Sequence, residues 1–376
     1  MADVGKKTRE PLMHIVKRDD LAGWKAWLIR ISAILLGLLL TGMISATLTG
    51  ESFGEVYEMM FRGVFGKWEN IMKGRTTMLW QFLQQTAILL CLSLAVTPAF
   101  KMRFWNCGAE GQALMGGLAA MICMIEIGDK VPNGLLILIV IVASIVAGAV
   151  WGFIPAFFRA QYKTNETLFT LMMNYVATQI VAYYVVLTTA GGGSNVIKPV
   201  PYGNLPVLIE DKPYALNVLV VFLLMLTVFV YLKYSKHGYE IAVVGESQNT
   251  ARYVGINVKK VIIRTMLISG AICGIAGMLM VAGTDHSINT NTMGGQGFTA
   301  IMVSWMGQFN PFVMAGMAGL VTFLETGAAK VADTCFLNSA YADIVSGIVI
   351  LFLVGCEFFI RYSVKFRHSK KGGAAQ

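Results

Sequence analysis

Apolar positions run along this chain in long blocks that no Asp, Glu, Lys or Arg interrupts. They cover 31–50, 76–100, 131–158, 167–197, 213–232, 265–284 and 286–324. A helix needs about 20 apolar residues to cross the hydrocarbon core, so nearly every block can span. Polar and Gly or Pro positions divide the blocks into helices at roughly 27–49, 78–98, 109–127, 134–158, 166–188, 214–232, 261–283, 298–308, 311–330 and 341–360. The eighth is short. Block 286–324 is too long for one crossing and is cut at Asn310-Pro311, where proline removes a helix donor. Two arrangements fit: a tight hairpin inside the membrane, or a short crossing followed by a full one. The pattern predicts an all-α polytopic membrane protein with about 10 transmembrane helices.

Composition supports this reading. The 376 residues are 56% hydrophobic and 14% charged, with a mean hydropathy of +0.64. Soluble domains carry about 25% charged residues. A soluble enzyme, a disordered scaffold and a secreted disulfide domain are thereby excluded.

The net charge of +9 is distributed by side. With a cytoplasmic N-terminus and ten crossings, 22 of the 30 Lys and Arg residues fall on the cytoplasmic side, as positive-inside asymmetry requires. Arg361, Lys365, Arg367, Lys370 and Lys371 place the C-terminus there as well. Nucleic acid is excluded as a partner, because the charges are shared among separate loops and form no continuous face.

Three regions follow: a cytoplasmic N-terminal segment 1–26, a transmembrane domain 27–360 and a cytoplasmic tail 361–376. The run from Trp27 to Leu48 is too long for a signal sequence and reads as a retained anchor helix. An external loop, 189–213, holds Gly191-Gly192-Gly193 and Pro199, Pro201, Pro206 and Pro213. The cytoplasmic stretch 233–260 differs. Its part Glu246–Tyr253 contains no Pro or Gly and is followed by Gly255, which predicts a short helix with a glycine stop.

Catalytic chemistry is hard to find. There is no GxxxxGK[ST] loop, no HExxH and no GxSxG. His14, His237, His286 and His368 have no ligand spacing, and Asp285-His286 reads as a solvated pair. The six cysteines show no CxxC, and only Cys335 falls in an external loop. The 22 methionines are scattered as packing residues. No catalytic residue, metal site or bound cofactor is expected, and the chain does not hydrolyse ATP.

The informative polar cluster is Asn106-Cys107-Gly108-Ala109-Glu110-Gly111-Gln112, at a helix start. It fits an N-terminal cap, with Asn favoured there and Glu suited to the dipole. It also fits the lining of a polar pathway, since ionisable groups at membrane depth mark substrate routes. Asn165-Glu166 opens the fifth helix, and Asn174 lies further along it. Asn174 is either glue between helices or a pore-facing amide. Gly270, Gly274, Gly277, Gly316 and Gly319 predict close helix approach.

Four segments together resemble the permease subunits of ATP-binding-cassette importers for nucleosides and simple sugars, relatives of the branched-chain amino-acid permeases. Residues 106–112 are similar to that family's N-[IL]-G-A-E-G-Q. Thr164-Asn165-Glu166 with Leu171-Met172-Met173-Asn174-Tyr175 is similar to its N-E-…-L-M-x-N-Y. Gly245-Glu246 through Ala251-Arg252-Tyr253-Val254-Gly255-Ile256 resembles its G-x-N-x-x-A-A-R-Y-x-G-I loop, and Gly297-Phe298 through Asn310-Pro311 its G-F-x-x-I-x-V-x-x-x-G-x-x-N-P stretch. Cys107, Thr250, Trp305 and Gln308 depart from those patterns.

The resemblance implies a multi-pass protein of the plasma (inner) membrane. ATP and Mg would be bound by a separate cytoplasmic ATPase, contacted through Gly245, Glu246, Ser247, Asn249, Ala251, Arg252, Tyr253 and Gly255. A substrate-binding lipoprotein would dock outside, and a second related permease would complete a heterodimer. Asn106, Glu110, Gln112, Asn174 and Trp305 are the candidate pathway residues. An amide route flanked by Phe104, Trp105, Tyr175 and Trp305 suits nucleosides, with ribose-like sugars as the alternative. A stand-alone secondary transporter or channel would carry embedded charges for ion coupling. Here Glu110, Glu166, Glu325, Asp343 and Glu357 lie near predicted helix ends.

Overall fold

The computed structural model describes residues 13–17, 23–66, 69, 72, 76–189, 196–209, 212, 214–338 and 340–366. The segments 1–12 and 367–376, the glycine run 191–193 and Pro213 lie outside the described residues. Among those described, nine helices are long and apolar enough to cross a membrane. The chain divides into two compact units, 1–59 with 328–376, and 60–327.

In the first unit, α1 (Gly23–Thr49) packs along α13 (Ala340–Arg361). Arg30 on α1 forms an ion pair with Glu357 on α13, Nη2 to Oε1 at 2.7 Å. Two apolar helices are thus keyed by one charge pair, and a buried charge requires such a partner. Strands β1 (Met13–Lys17) and β2 (Tyr362–Phe366) pair antiparallel in the register Met13↔Phe366 to Lys17↔Tyr362. That pairing sets residues 13–17 and 362–366 side by side within this unit.

A short helix, α11 (Gln296–Met306), follows in the second unit. Its 11 residues rise only about 16 Å, too little to cross the hydrocarbon core alone. Its C-terminus closes with two bonds, Phe309 N–H to Ser304 O at 3.1 Å and Gln308 N–H to Trp305 O at 3.0 Å. Both Gln308 (φ 51°) and Phe309 (φ 59°) are left-handed. Pro311 then opens α12 (Pro311–Thr334), where a missing N–H costs nothing. The sequence-predicted break at Asn310-Pro311 is in place, with a short helix before it and a long one after it.

After α2 (Phe53–Phe65) comes α3 (Thr77–Lys101), on which the second unit is built and which is buried along most of its length. Around it lie α4 (Ala109–Ile127), α5 (Asn133–Tyr162), α6 (Glu166–Thr189), α7 (Ala215–Tyr234) and α10 (Val258–Met280). The last continues as a π-turn over Val281–Asp285. Helices α4, α5 and α10 meet backbone to backbone. A Cβ at Gly277 would lie 1.9 Å from Ala113 O, and one at Gly274 2.1 Å from Ser144 O. Gly270 is closed in the same way by Gly148 O, at 2.3 Å. Without a hydrophobic force between helices in lipid, this close packing is what holds them.

Gly316 and Gly319 do not serve this purpose. A Cβ at Gly316 would meet nothing within 4 Å among the described residues, and at Gly319 only Thr86 Cγ2 at 3.9 Å. Spacing alone does not show which face of α12 meets another helix.

Gly277→Ala should lower the melting temperature of the purified protein by several degrees, because the neighbour is backbone and overpacking costs about 1–3 kcal/mol. Gly316→Ala should leave it unchanged or slightly raised. Thermal unfolding in detergent checks both, and equal losses would contradict the packing described.

Candidate functional site

All the site elements below lie in the second unit. At the end of α3 the chain must reverse into α4, and it does so through residues 102–108 with Arg103 at φ 57°. This turn leaves buried backbone groups without helical partners. Buried side chains satisfy them. Asn106 Oδ1 accepts from Gly108 N–H (3.0 Å) and Gln112 Nε2 (3.2 Å), while its Nδ2 donates to Ser269 Oγ at 3.1 Å. Asn174 reaches across from α6. Its Oδ1 accepts from Gly111 N–H (2.9 Å) and its Nδ2 donates to Cys107 O (2.8 Å). Thr170 Oγ1 accepts from Cys107 N–H at 3.2 Å. The Cys107 thiol is half-buried, and that burial pushes its pKa up.

Glu110 does more than favour the start of its own helix. Its Oε1 accepts from Gly295 N–H at 2.9 Å and its Oε2 from Gly297 N–H at 2.7 Å. Gly295 is the N-cap of α11, so a carboxylate on α4 caps a helix 185 residues away. Negative charge at a helix N-terminus is stabilised by the macrodipole and by the free N–H groups there. Glu110 thereby ties the start of α11 to the start of α4.

At the other end of α11, Trp305 stacks on Trp105, with ring centroids 5.6 Å apart and planes 20° off parallel. Phe309 meets Trp305 edge-on at 5.1 Å, and Phe100 meets both indoles edge-on. Trp105 is half-exposed and Phe104 is buried, whereas Tyr175 is exposed on α6. The five pathway candidates therefore split into a hydrogen-bonded set, Asn106, Glu110, Gln112 and Asn174, and an aromatic stack at Trp305.

The loop 233–260 folds as two helices, α8 (Lys236–Glu246) and α9 (Gln248–Tyr253). Ser247 caps α9, its Oγ accepting from Thr250 N–H at 3.2 Å. Gly255, at φ +84°, closes it, with Ile256 N–H bonding Ala251 O at 2.9 Å and Gly255 N–H bonding Arg252 O at 3.0 Å. The sequence-predicted glycine stop is in place, one turn being enough because both ends are capped.

The coupling residues divide by burial. Gly245 and Ala251 are buried, and a Cβ at Gly245 would strike Lys101 O at 2.0 Å. Glu246, Asn249, Arg252 and Tyr253 face outward, Tyr253 being 92% exposed. Arg264 on α10 pairs with Glu240 on α8 at 2.9 Å. The hairpin is thus seated on the ends of α3 and α10.

One polar feature escaped sequence reasoning. Gln81, Gln84 and Gln85 sit on α3 at i, i+3 and i+4 and share one face. They line a cavity of about 280 Å³ with Tyr214, Thr284 and Thr326. The charge-free block 76–100 conceals them, because averaged hydropathy does not register three amides among leucines. Amides at helical spacing were the available signal.

Asn174→Ala should leave Gly111 N–H and Cys107 C=O unpaired, at about 1–3 kcal/mol each. Thermal unfolding should show a clear loss, and an unchanged melting temperature would contradict the bonding described.

Residues 78–354 match the family described as branched-chain amino acid transport system / permease component. The chain is 30% identical over 351 residues to the guanosine ABC transporter permease protein NupP of Bacillus subtilis (strain 168), covering 92% of this chain and 97% of that one. It is 27% identical to the glucose ABC transporter permease protein TsgB13 of Haloferax volcanii, over 96% of each chain. It is 25% identical to the nucleoside ABC transporter permease protein NupB of Lactococcus lactis subsp. cremoris, over 89% of this chain and 92% of the relative.

Proposed function

The chain belongs to the branched-chain amino acid transport permease family and is a multi-pass integral protein of the plasma membrane; on that premise we propose that it is the membrane subunit of an ATP-driven importer of nucleosides. The observation that carries the proposal is the capped hairpin α8–α9, which presents Tyr253 outward while resting on the ends of two core helices. A stand-alone transporter or channel has no use for such a surface. Relatives named for guanosine and nucleoside transport support the substrate. The relative named for glucose transport favours a second reading, a permease for ribose-like sugars.

In this account both termini and the hairpin face the cytoplasm, where a separate ATPase binds ATP and Mg. Glu246, Asn249, Arg252 and Tyr253 contact that ATPase, and Gly245, Ser247, Ala251 and Gly255 shape the helix that presents them. Displacement of α8 reaches α3 through the Gly245–Lys101 packing and α10 through the Glu240–Arg264 pair. Helices packed on glycine can then slide by small steps, exchanging outside for inside access. A substrate-binding lipoprotein delivers the solute from outside, and a second related permease completes the pore.

Cells carrying the gene should take up labelled adenosine or uridine, and lose that uptake when ATP is depleted. Uptake of ribose alone would keep the importer and change its substrate, whereas uptake that follows an ion gradient would overturn the proposal. Tyr253→Ala should weaken co-purification of the ATPase by about 30-fold, the scale of an interface anchor, with unfolding temperature unaffected. Retained co-purification would remove Tyr253 from the contact.

A further inference from the structure

The cavity at the head of α3 lies at the end of the helices opposite the hairpin α8–α9. It is bounded by the start of α3, the start of α7 at Tyr214, the π-turn that ends α10 at Thr284, and α12 at Thr326. Six of its lining side chains are amides or hydroxyls, and among the described residues that line it none is charged. Phe82 supplies an aromatic wall.

Two bonds hold the lining in place. Gln84 Nε2 donates to Thr284 Oγ1 at 2.6 Å, and Thr326 Oγ1 donates to Gln85 Oε1 at 2.8 Å. Gln84 is only 2% exposed. Its Oε1 is buried with no hydrogen-bond partner among the described residues. A buried acceptor left unpaired is costly, and an amide at a polar cavity wall can be completed by a hydroxyl donor once it turns toward that cavity.

The chemistry of the lining narrows the ligand. A zwitterionic amino acid brings two charges, and a neutral lining would leave both unpaired. An ion fails on the same ground. A neutral polyhydroxyl group, by contrast, both donates and accepts, as amides and hydroxyls do, and its flatter apolar face can rest against Phe82. At about 280 Å³ the cavity falls just under the usual range for drug-sized ligands, which suits part of a nucleoside. We propose that this cavity is the outer station of the pathway and binds the ribose of a nucleoside, the Gln84 amide turning toward the cavity so that a sugar hydroxyl donates to its Oε1. This rests on the nucleoside reading above.

The test is equilibrium binding of labelled adenosine and of 2′,3′-dideoxyadenosine to the assembled permease–ATPase complex in nanodiscs, without binding protein. The wild-type complex should prefer adenosine about tenfold, the scale of one or two neutral hydrogen bonds. Gln84→Leu and Gln85→Leu should each bring that ratio to about twofold or less. A structural role alone would weaken both ligands equally and leave the ratio unchanged, which would overturn the assignment. A wild-type ratio near one would overturn it as well. If one variant does not assemble, the other and the wild-type ratio decide. ATP-dependent adenosine uptake by the same wild-type complex is measured in parallel. Its absence would overturn the nucleoside reading and this site with it, whereas uptake with an unchanged ratio in both variants would overturn the site alone.

Discussion

Buried backbone that leaves the helical path must find its hydrogen bonds within the protein, and this constraint organises the second unit. The chain breaks helix twice near the same place, at residues 102–108 and again before α11. Side chains close both breaks. Asn106, Thr170 and Asn174 satisfy the first, and Glu110 satisfies the N-terminus of the helix that follows the second. Asn106, Glu110 and Asn174, which stand out in the sequence, are therefore committed to backbone groups. Whatever they contribute to a pathway, they contribute from fixed positions.

That commitment connects the two ends of the unit. Glu110 joins α4 to α11, glycine contacts join α4 and α5 to α10, and the Glu240–Arg264 pair joins α10 to the hairpin. A movement imposed at α9 thus meets a continuous set of close contacts. Some of these are backbone against backbone, which transmit displacement with little give. Transport by alternating access needs that stiffness in the coupling elements and freedom elsewhere.

Much of this was legible in the sequence. Long charge-free runs gave the spanning helices, and Asn310-Pro311 marked the short helix before α12. Gly255 predicted the end of α9, because a glycine stop is a local signal. Other features depend on partners distant in the chain. Glu110 reads as a cap from its position, but only the fold shows that it caps another helix as well as favouring its own. Gly316 and Gly277 have the same local appearance, yet only Gly277 faces a neighbouring backbone within the unit. The glutamines of α3 were hidden for a different reason: apolar neighbours outnumber them in any averaging window.

Amide hydrogen exchange across residues 295–306 tests the central physical claim most directly. In the intact protein the Glu110 carboxylate should keep Gly295 and Gly297 protected. Glu110→Ala should speed exchange there by about tenfold or more, as local opening becomes easier, while the hairpin 236–253 exchanges as before. Unchanged protection at 295–306 in that variant would mean that the start of α11 does not depend on Glu110, and the account of a helix held by a distant carboxylate would be wrong.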